Sequence, residues 1–380
     1  MSMKGNWRPF NNNSPWNQVI PAGVETHPES GGIIQDMDRY HKNITIRLAN
    51  EWCPTMHVVG GQASKYQYHS STNIYRCTHF NLQNCWNPDV DGNDITDEAW
   101  PFIPGVTYPE STADGRMIII DKSATNKYTA YEVTHGSANL VGGYAPCSMF
   151  NIWHLGFRGV VYYRPPCSAG SPSGSGTGNS CASCDDYWTS AGSSGCGTPL
   201  LGGLIRPEEL LNAVGAVLAP TDPNYNPDVP SGDWLIHHAL AFAYNFNRCG
   251  PPLYPVAYRA DGAESVWDLS KPVEGMLFQL MDPDNSIENS ISNPYGKVII
   301  RTLKTYGMYL VDGGSNNETM ALYRQNMHTP GGETNAAWWE RNFPGLYNSI
   351  TGVRAENFRV VDTVSLYGAR LLWEHSECTH

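Results

Sequence analysis

Four carboxylates stand in or beside strand-like segments, Asp114, Glu132, Asp261 and Asp312, and one imidazole, His238, sits inside an apolar run. Such groups suit glycoside hydrolysis, which needs two carboxyl groups facing each other across a cleft, one kept protonated by its surroundings and one ionised. In that chemistry His238 orients or tunes one carboxylate. A polysaccharide lyase is the close variant, with His238 or a tyrosine as base and Arg259 neutralising a sugar acid. Each residue also has a plainer reading. Glu132 alternates with Tyr131 and Val133, so it shares a face with Tyr128 and Ala130 and is either a cleft group or an outward strand carboxylate. Asp114 in ADGRM also suits a turn. Asp312 follows MYLV and precedes two glycines, where a strand end meets a cleft or a turn begins. Arg259 and Asp261, in YPVAYRADG, are a positioning pair or a salt-bridged turn. His237 and His238 face opposite sides of WLIHHALAFAYNF, and the inward one needs a partner, in a site or in the core. Trp153 and His154, in NIWHLG, offer a flat ring beside a hydrogen-bonding group, which suits either sugar binding or core packing.

Metal chemistry has one candidate loop. In NPDVDGNDITDE the residues Asp89, Asp91, Asn93 and Asp94 alternate closely enough to wrap a structural calcium, or to form an Asx-rich turn. The loop departs from the helix-loop-helix calcium pattern at Asp94, where Gly is expected, and at Trp100, where Glu is expected. Asp282 and Asp284 in MDPDNS form a weaker copy. No GxSxG, HExxH, GxGxxG or Walker loop occurs, which removes the usual support for serine esterase, zincin and nucleotide-binding chemistry.

These side chains must be positioned by a chain that 37 Gly and 27 Pro cut into short segments, a pattern of many strands joined by turns. Strands are expected at 117–121 and 128–134, paired as a hairpin, and at 43–48, 150–154, 159–163, 234–244, 275–280, 308–311 and 319–323. Two helices are expected. RPEELLNAVG carries Pro207 at its first turn with Glu208 and Glu209 at the positive end of the dipole. NPYGKVIIRTLKTYG repeats Val298, Ile299, Leu303 and Tyr306 at helical spacing and stops at Gly307. The expected fold is therefore mainly β, a jelly roll or β-sandwich with two short helices. Residues 1–35 read as an extended N-terminal arm, and residues 36–380 as one β-rich domain with a Cys/Gly/Ser-rich insertion at 165–197.

Ten cysteines, an even set scattered along most of the chain, point to an oxidising compartment and up to five disulfides. Cys167, Cys181, Cys184 and Cys196 would staple the insertion locally, with a zinc site as the alternative. The opening MSMKGNWRPF has no apolar core of a secretion signal, so a native signal is expected to have been removed. Sequons at Asn12, Asn43 and Asn317 fit a glycosylated, secreted surface. No run of 18 or more apolar residues occurs, and the net charge of -12 repels phosphate backbones and anionic lipid, so neither nucleic acid nor membrane is an expected partner. The 12 Trp and 21 Tyr suit loops that present flat faces to polysaccharide or oligosaccharide.

The blocks SPWNQVIP, DGRMIII with YEV, LLGGLIRPEEL, HALAFA, YPVAYRADG, YGMYLVD and FRVVD together resemble a group of secreted microbial proteins. The resemblance implies one secreted unit and carries no reaction; the Cys-rich insertion departs from it. The leading expectation is an extracellular polysaccharide-active glycoside hydrolase. Its rivals are a lyase, and a non-catalytic carbohydrate-binding or filament protein whose N-terminal arm pairs with a neighbour's sheet edge in self-association. A redox or metal enzyme ranks last, because the histidines lack ligand spacing.

Overall fold

The computed structural model describes residues 3, 7–10, 12, 14–40, 45–60, 64–70, 99–103, 106–111, 114–122, 129–134, 145–147, 149–154, 198–216, 232–248, 253, 268–314 and 319–367, with 40, 64–70, 99–102, 129, 134, 145–147 and 149–154 described through their backbone alone. The strands are β1 (Thr45–Leu48), β2 (Thr55–Val59), β3 (Ser64–Ser70), β4 (Ala99–Phe102), β5 (Met117–Asp121), β6 (Thr129–Thr134), β7 (Ala145–Cys147), β8 (Met149–His154), β9 (Leu240–Ala243), β10 (Leu277–Leu280), β11 (Met308–Asp312), β12 (Thr319–Leu322) and β13 (Phe358–Val361). The helices are α1 (Ser30–Tyr40), α2 (Pro207–Ala213), α3 (Ser286–Ser290), α4 (Pro294–Thr305), α5 (Asn335–Asn342), α6 (Leu346–Ser349) and α7 (Thr363–Tyr367).

The central sheet has six strands in the order β1-β12-β9-β11-β10-β13, with β1 and β12 parallel, β9 and β11 parallel, and the other neighbours antiparallel. Its two faces follow the period of two expected of strands. Leu240, Phe242, Leu310 and Leu322 point into a cluster covered by α1, α2, α4 and α5, whereas Ala241, Ala243, Tyr309 and Val311 point into a second cluster. That second cluster also takes Phe10, Trp16 and Ile20 from the N-terminal segment, and Ile118, Ile120 and Ala130 from the four-stranded sheet β2-β5-β6-β8. A three-stranded sheet, β4-β3-β7, completes the described strands. The protein is thus sheet-rich with a minority of helix.

The hairpin forms as expected: β5 and β6 pair antiparallel with Ile118 opposite Glu132. Both expected helices form too. In α4, Asn293 accepts from the backbone N–H groups of Tyr295 and Gly296 at 3.0 and 3.1 Å, Pro294 opens the first turn, and Gly307 at φ +73° ends it. In α2, Glu209 accepts from the Arg206 N–H at 3.1 Å, closing the N-terminus from the third helical position.

Four expectations change. Helices are more numerous than two. Residues 1–35 are not extended throughout, because Pro15–Asn17 is a 3-10 turn capped by Ser14, and α1 begins at Ser30. The strand expected over 234–244 shrinks to Leu240–Ala243, because Trp234 takes a left-handed φ of 63° and the Ile236 N–H donates at 3.0 Å to the Thr302 hydroxyl instead of to a strand. The expected strand at 159–163 and the insertion at 165–197 lie outside the described residues. Cys53 is a buried free thiol, so five disulfides reduce to at most four; burial pushes its pKa up to about 12, which leaves it a poor nucleophile. Among the described residues no helix is long and apolar enough to cross a membrane.

Candidate functional site

Two of the carboxylates singled out from sequence, Asp114 and Asp312, meet on one guanidinium. Arg116, placed just ahead of β5, reaches the end of β11, where its Nη1 and Nη2 both donate to Asp312 Oδ2 at 3.1 Å. The same Nη2 lies 2.8 Å from Asp114 Oδ2. The Tyr323 hydroxyl, just past β12, donates to Asp312 Oδ2 at 2.8 Å, and Arg116 Nη1 also donates to the Trp52 carbonyl at 3.2 Å. A β-bulge between Leu310 and Asp312 sets this geometry, because the extra residue places Asp312 opposite Ala243, on the face of the sheet that Tyr323 shares.

Electrostatically the cluster keeps its guanidinium charged and its phenol protonated. Burial works against the charge on Arg116, but the Asp312, Tyr323 and Asp114 oxygens outweigh it and hold its pKa well above the ordinary value. Burial first, then the neighbouring Asp312 charge, pushes the Tyr323 hydroxyl well above its ordinary value, so it stays a donor. Asp312 is the covered member and Asp114 the open one, with 11 % and 29 % of their side chains exposed. Both touch the same nitrogen, so their contacting oxygens stand no more than about 5.9 Å apart, the 2.8 and 3.1 Å contacts laid end to end.

The other candidates lie elsewhere. Glu132 is wholly buried on β6, and its Oε1 accepts from the Leu201 N–H at 3.1 Å; it fastens the 198–205 loop rather than facing outward. His238 is buried ahead of β9, while Asp312 pairs with Ala243 at the far end of that strand. His238 Nδ1 lies 2.8 Å from the Ala239 carbonyl and Nε2 lies 3.0 Å from Glu209 Oε1. It therefore orients Glu209, a carboxylate read from sequence only as a helix-dipole partner. His237, by contrast, is open to solvent and pairs with Asp233 at 2.6 Å. The backbone of β8 sets Trp153 opposite Ala130 and His154 opposite Thr129. Asp261, Arg259, Asp89, Asp91, Asn93 and Asp94 lie outside the described residues. Among the described residues no group of three His, Cys, Asp or Glu side chains is arranged to hold a metal ion.

Arg206 is the centre of a second buried cluster. It pairs with Glu209, approaches Glu208 at 3.4 Å, donates to the Trp7 carbonyl at 2.6 Å and lies 4.8 Å from the centre of the Trp7 ring. Burial, opposed by Arg206, raises Glu208 from 4.5 to about 7, whereas Arg206 and His238 overcome burial to lower Glu209. Glu208 thus keeps a proton that the unfolded chain releases, so its contribution to stability is present below pH 4.5 and is lost as pH rises to about 7. Glu208→Gln is expected to remove that slope and to exceed the wild type in stability at pH 8 by on the order of 2 kcal/mol. Urea denaturation at pH 5 and pH 8 checks this; equal slopes for the two proteins would show that Glu208 is ionised in the fold.

Sequence reasoning missed Arg116, Tyr323 and Glu209. Arg116 stands two residues after Asp114, and that spacing in ADGRM was its one visible signal. No family model, curated protein or solved structure matches the chain.

Proposed function

We propose that the protein is an extracellular polysaccharide-active glycoside hydrolase working with retention of configuration, with Asp312 as nucleophile and Asp114 as general acid. The observation that carries this reading is the separation of at most about 5.9 Å between their oxygens. Retaining enzymes hold their two carboxyl groups about 5–5.5 Å apart, whereas inverting enzymes need about 6.5–9.5 Å to admit a water. Arg116 and Tyr323 fix the Asp312 carboxylate as an oriented anion, as attack on an anomeric carbon requires. Asp114, the more exposed member, takes the part of the general acid toward the leaving oxygen.

Secretion is supported by the cysteine count and by the acidic, aromatic-rich composition. We read the two sheets that share one apolar cluster as the layers of a β-sandwich. Calcium bound by Asp89, Asp91, Asn93 and Asp94 belongs to the same proposal as a structural ion.

The lyase variant is weaker at this cluster, since the Tyr323 hydroxyl holds its proton too firmly to act as a base. The non-catalytic reading has one observation in its favour: Arg116 ties the lead into β5 to the end of β11, as a purely structural ion network would. Incubation with neutral and acidic polysaccharides separates the three. Reducing ends without ultraviolet absorbance are expected; absorbance from a new carbon–carbon double bond would establish a lyase, and neither signal would favour the binding protein.

A further inference from the structure

Trp52 occupies a backbone conformation that its side chain does not favour. Its φ is 63°, in the left-handed region, which is strained for a bulky residue and persists only where surrounding contacts over-determine it. Those contacts are present on both sides. The Ala49 carbonyl accepts from Arg324 Nε at 3.0 Å, the Asn50 side chain from Arg324 Nη2, and the Asn50 carbonyl from Asn335 Nδ2 at 3.0 Å. The Trp52 carbonyl accepts from Arg116, the guanidinium that holds Asp312 and Asp114. Arg324 is itself braced, lying 4.9 Å from the centre of the Trp339 ring. The turn is thus fastened through its carbonyls and the Asn50 side chain, and none of these bonds involves the indole.

Trp52 is partly open to solvent, on a turn whose carbonyl shares a guanidinium with the carboxylate pair. A second half-exposed aromatic patch lies near by. Tyr108 makes an edge contact with His57 at 4.6 Å and another with His328 at 6.4 Å between ring centres, while its backbone is pinned by the His57 ring and the Thr55 hydroxyl. Thr55 opens β2 and its N–H donates to the Arg116 carbonyl at 3.4 Å, so this patch and Trp52 flank the same arginine.

From the fastened left-handed turn we infer that Trp52 is a sugar-stacking residue, presenting its indole face to a neutral pyranose ring seated beside Asp114 and Asp312. This rests on the carbohydrate-active reading above and adds to it a binding residue and a ligand class. A flat, rigid aromatic face gains area against the C–H face of a pyranose at little entropic cost. The backbone strain then has a use: it fixes the ring's direction before the ligand arrives.

The test uses Trp52→Gly and Trp52→Asn, two residues that tolerate a left-handed φ and keep the carbonyl that Arg116 needs. Wild type and variants are titrated calorimetrically with cello-, xylo-, manno- and laminari-hexaose, and melting temperatures are recorded alongside. The expected result is a melting temperature unchanged or raised in both variants, with the dissociation constant for the bound hexaose rising at least about tenfold. Binding within twofold of wild type would overturn the inference and leave the hydrolase reading standing. A large fall in melting temperature in both variants would also overturn it, showing the indole to be packing. Wild-type binding lost in the variants, but with no cleavage by the wild type, would sustain the stacking role and remove the hydrolase. Wild-type protein that binds none of the four sugars would overturn the inference.

Discussion

Asp312→Asn is expected to lower the rate of glycan cleavage by at least about 10³-fold while the protein still folds. The amide fills the same space and its oxygen still accepts from Tyr323, but it is neither an anion nor a competent nucleophile. Asp312→Ala goes further. It removes the acceptor of two Arg116 bonds and leaves that buried guanidinium with Asp114 and the Trp52 carbonyl, a loss on the order of 3 kcal/mol. Reducing-end assays and urea denaturation of the two variants separate the roles. Loss of activity in the amide variant at near wild-type stability is the signature of chemistry. Full activity in that variant would assign the cluster to structure.

Gly203→Ala is expected to damage the fold severely. Gly203 has φ +70°, and a Cβ there would stand 2.4 Å from the Ala241 nitrogen and 2.6 Å from the Leu240 carbonyl carbon. Both contacts are with β9 backbone, which cannot swing aside, and the Gly203 carbonyl accepts from the Ala241 N–H at 3.0 Å. The strand would have to separate from the 198–205 loop that Glu132 also fastens, at a cost of about 3 kcal/mol or more. Gly331 supplies the control, having φ +69° with nothing within 4 Å of its would-be Cβ. Gly331→Ala is expected to lose only the left-handed backbone penalty, about 1 kcal/mol. Similar losses in the two variants, measured by urea denaturation, would show that the close approach to β9 is not what requires glycine.

Local signals were legible in the sequence and convergence was not. The stop of α4 at Gly307 and the pairing of 117–121 with 129–134 follow from capping chemistry and strand period, so they were readable. Asp312 was marked by its place between an apolar strand and two glycines. Its partners were hidden, because Arg116 is 196 residues distant and only the bulge after Leu310 turns the aspartate toward it. Glu132 shows the converse: its place in the strand was legible, but that its carboxylate is covered depends on a loop nearly seventy residues later. The run from Trp234 to His238 reads as strand because its apolar composition carries no trace of the left-handed Trp234. Trp52 was silent for the same reason.

The anomeric configuration of the first sugar released tests the central claim most directly. Wild-type protein is incubated with a polysaccharide that it degrades, and the nascent reducing end is followed by proton NMR before mutarotation. Two carboxylate oxygens held within about 5.9 Å by one arginine predict a product that keeps the configuration of the cleaved bond. Release of the opposite anomer would contradict the pairing of Asp114 with Asp312 as acid and nucleophile.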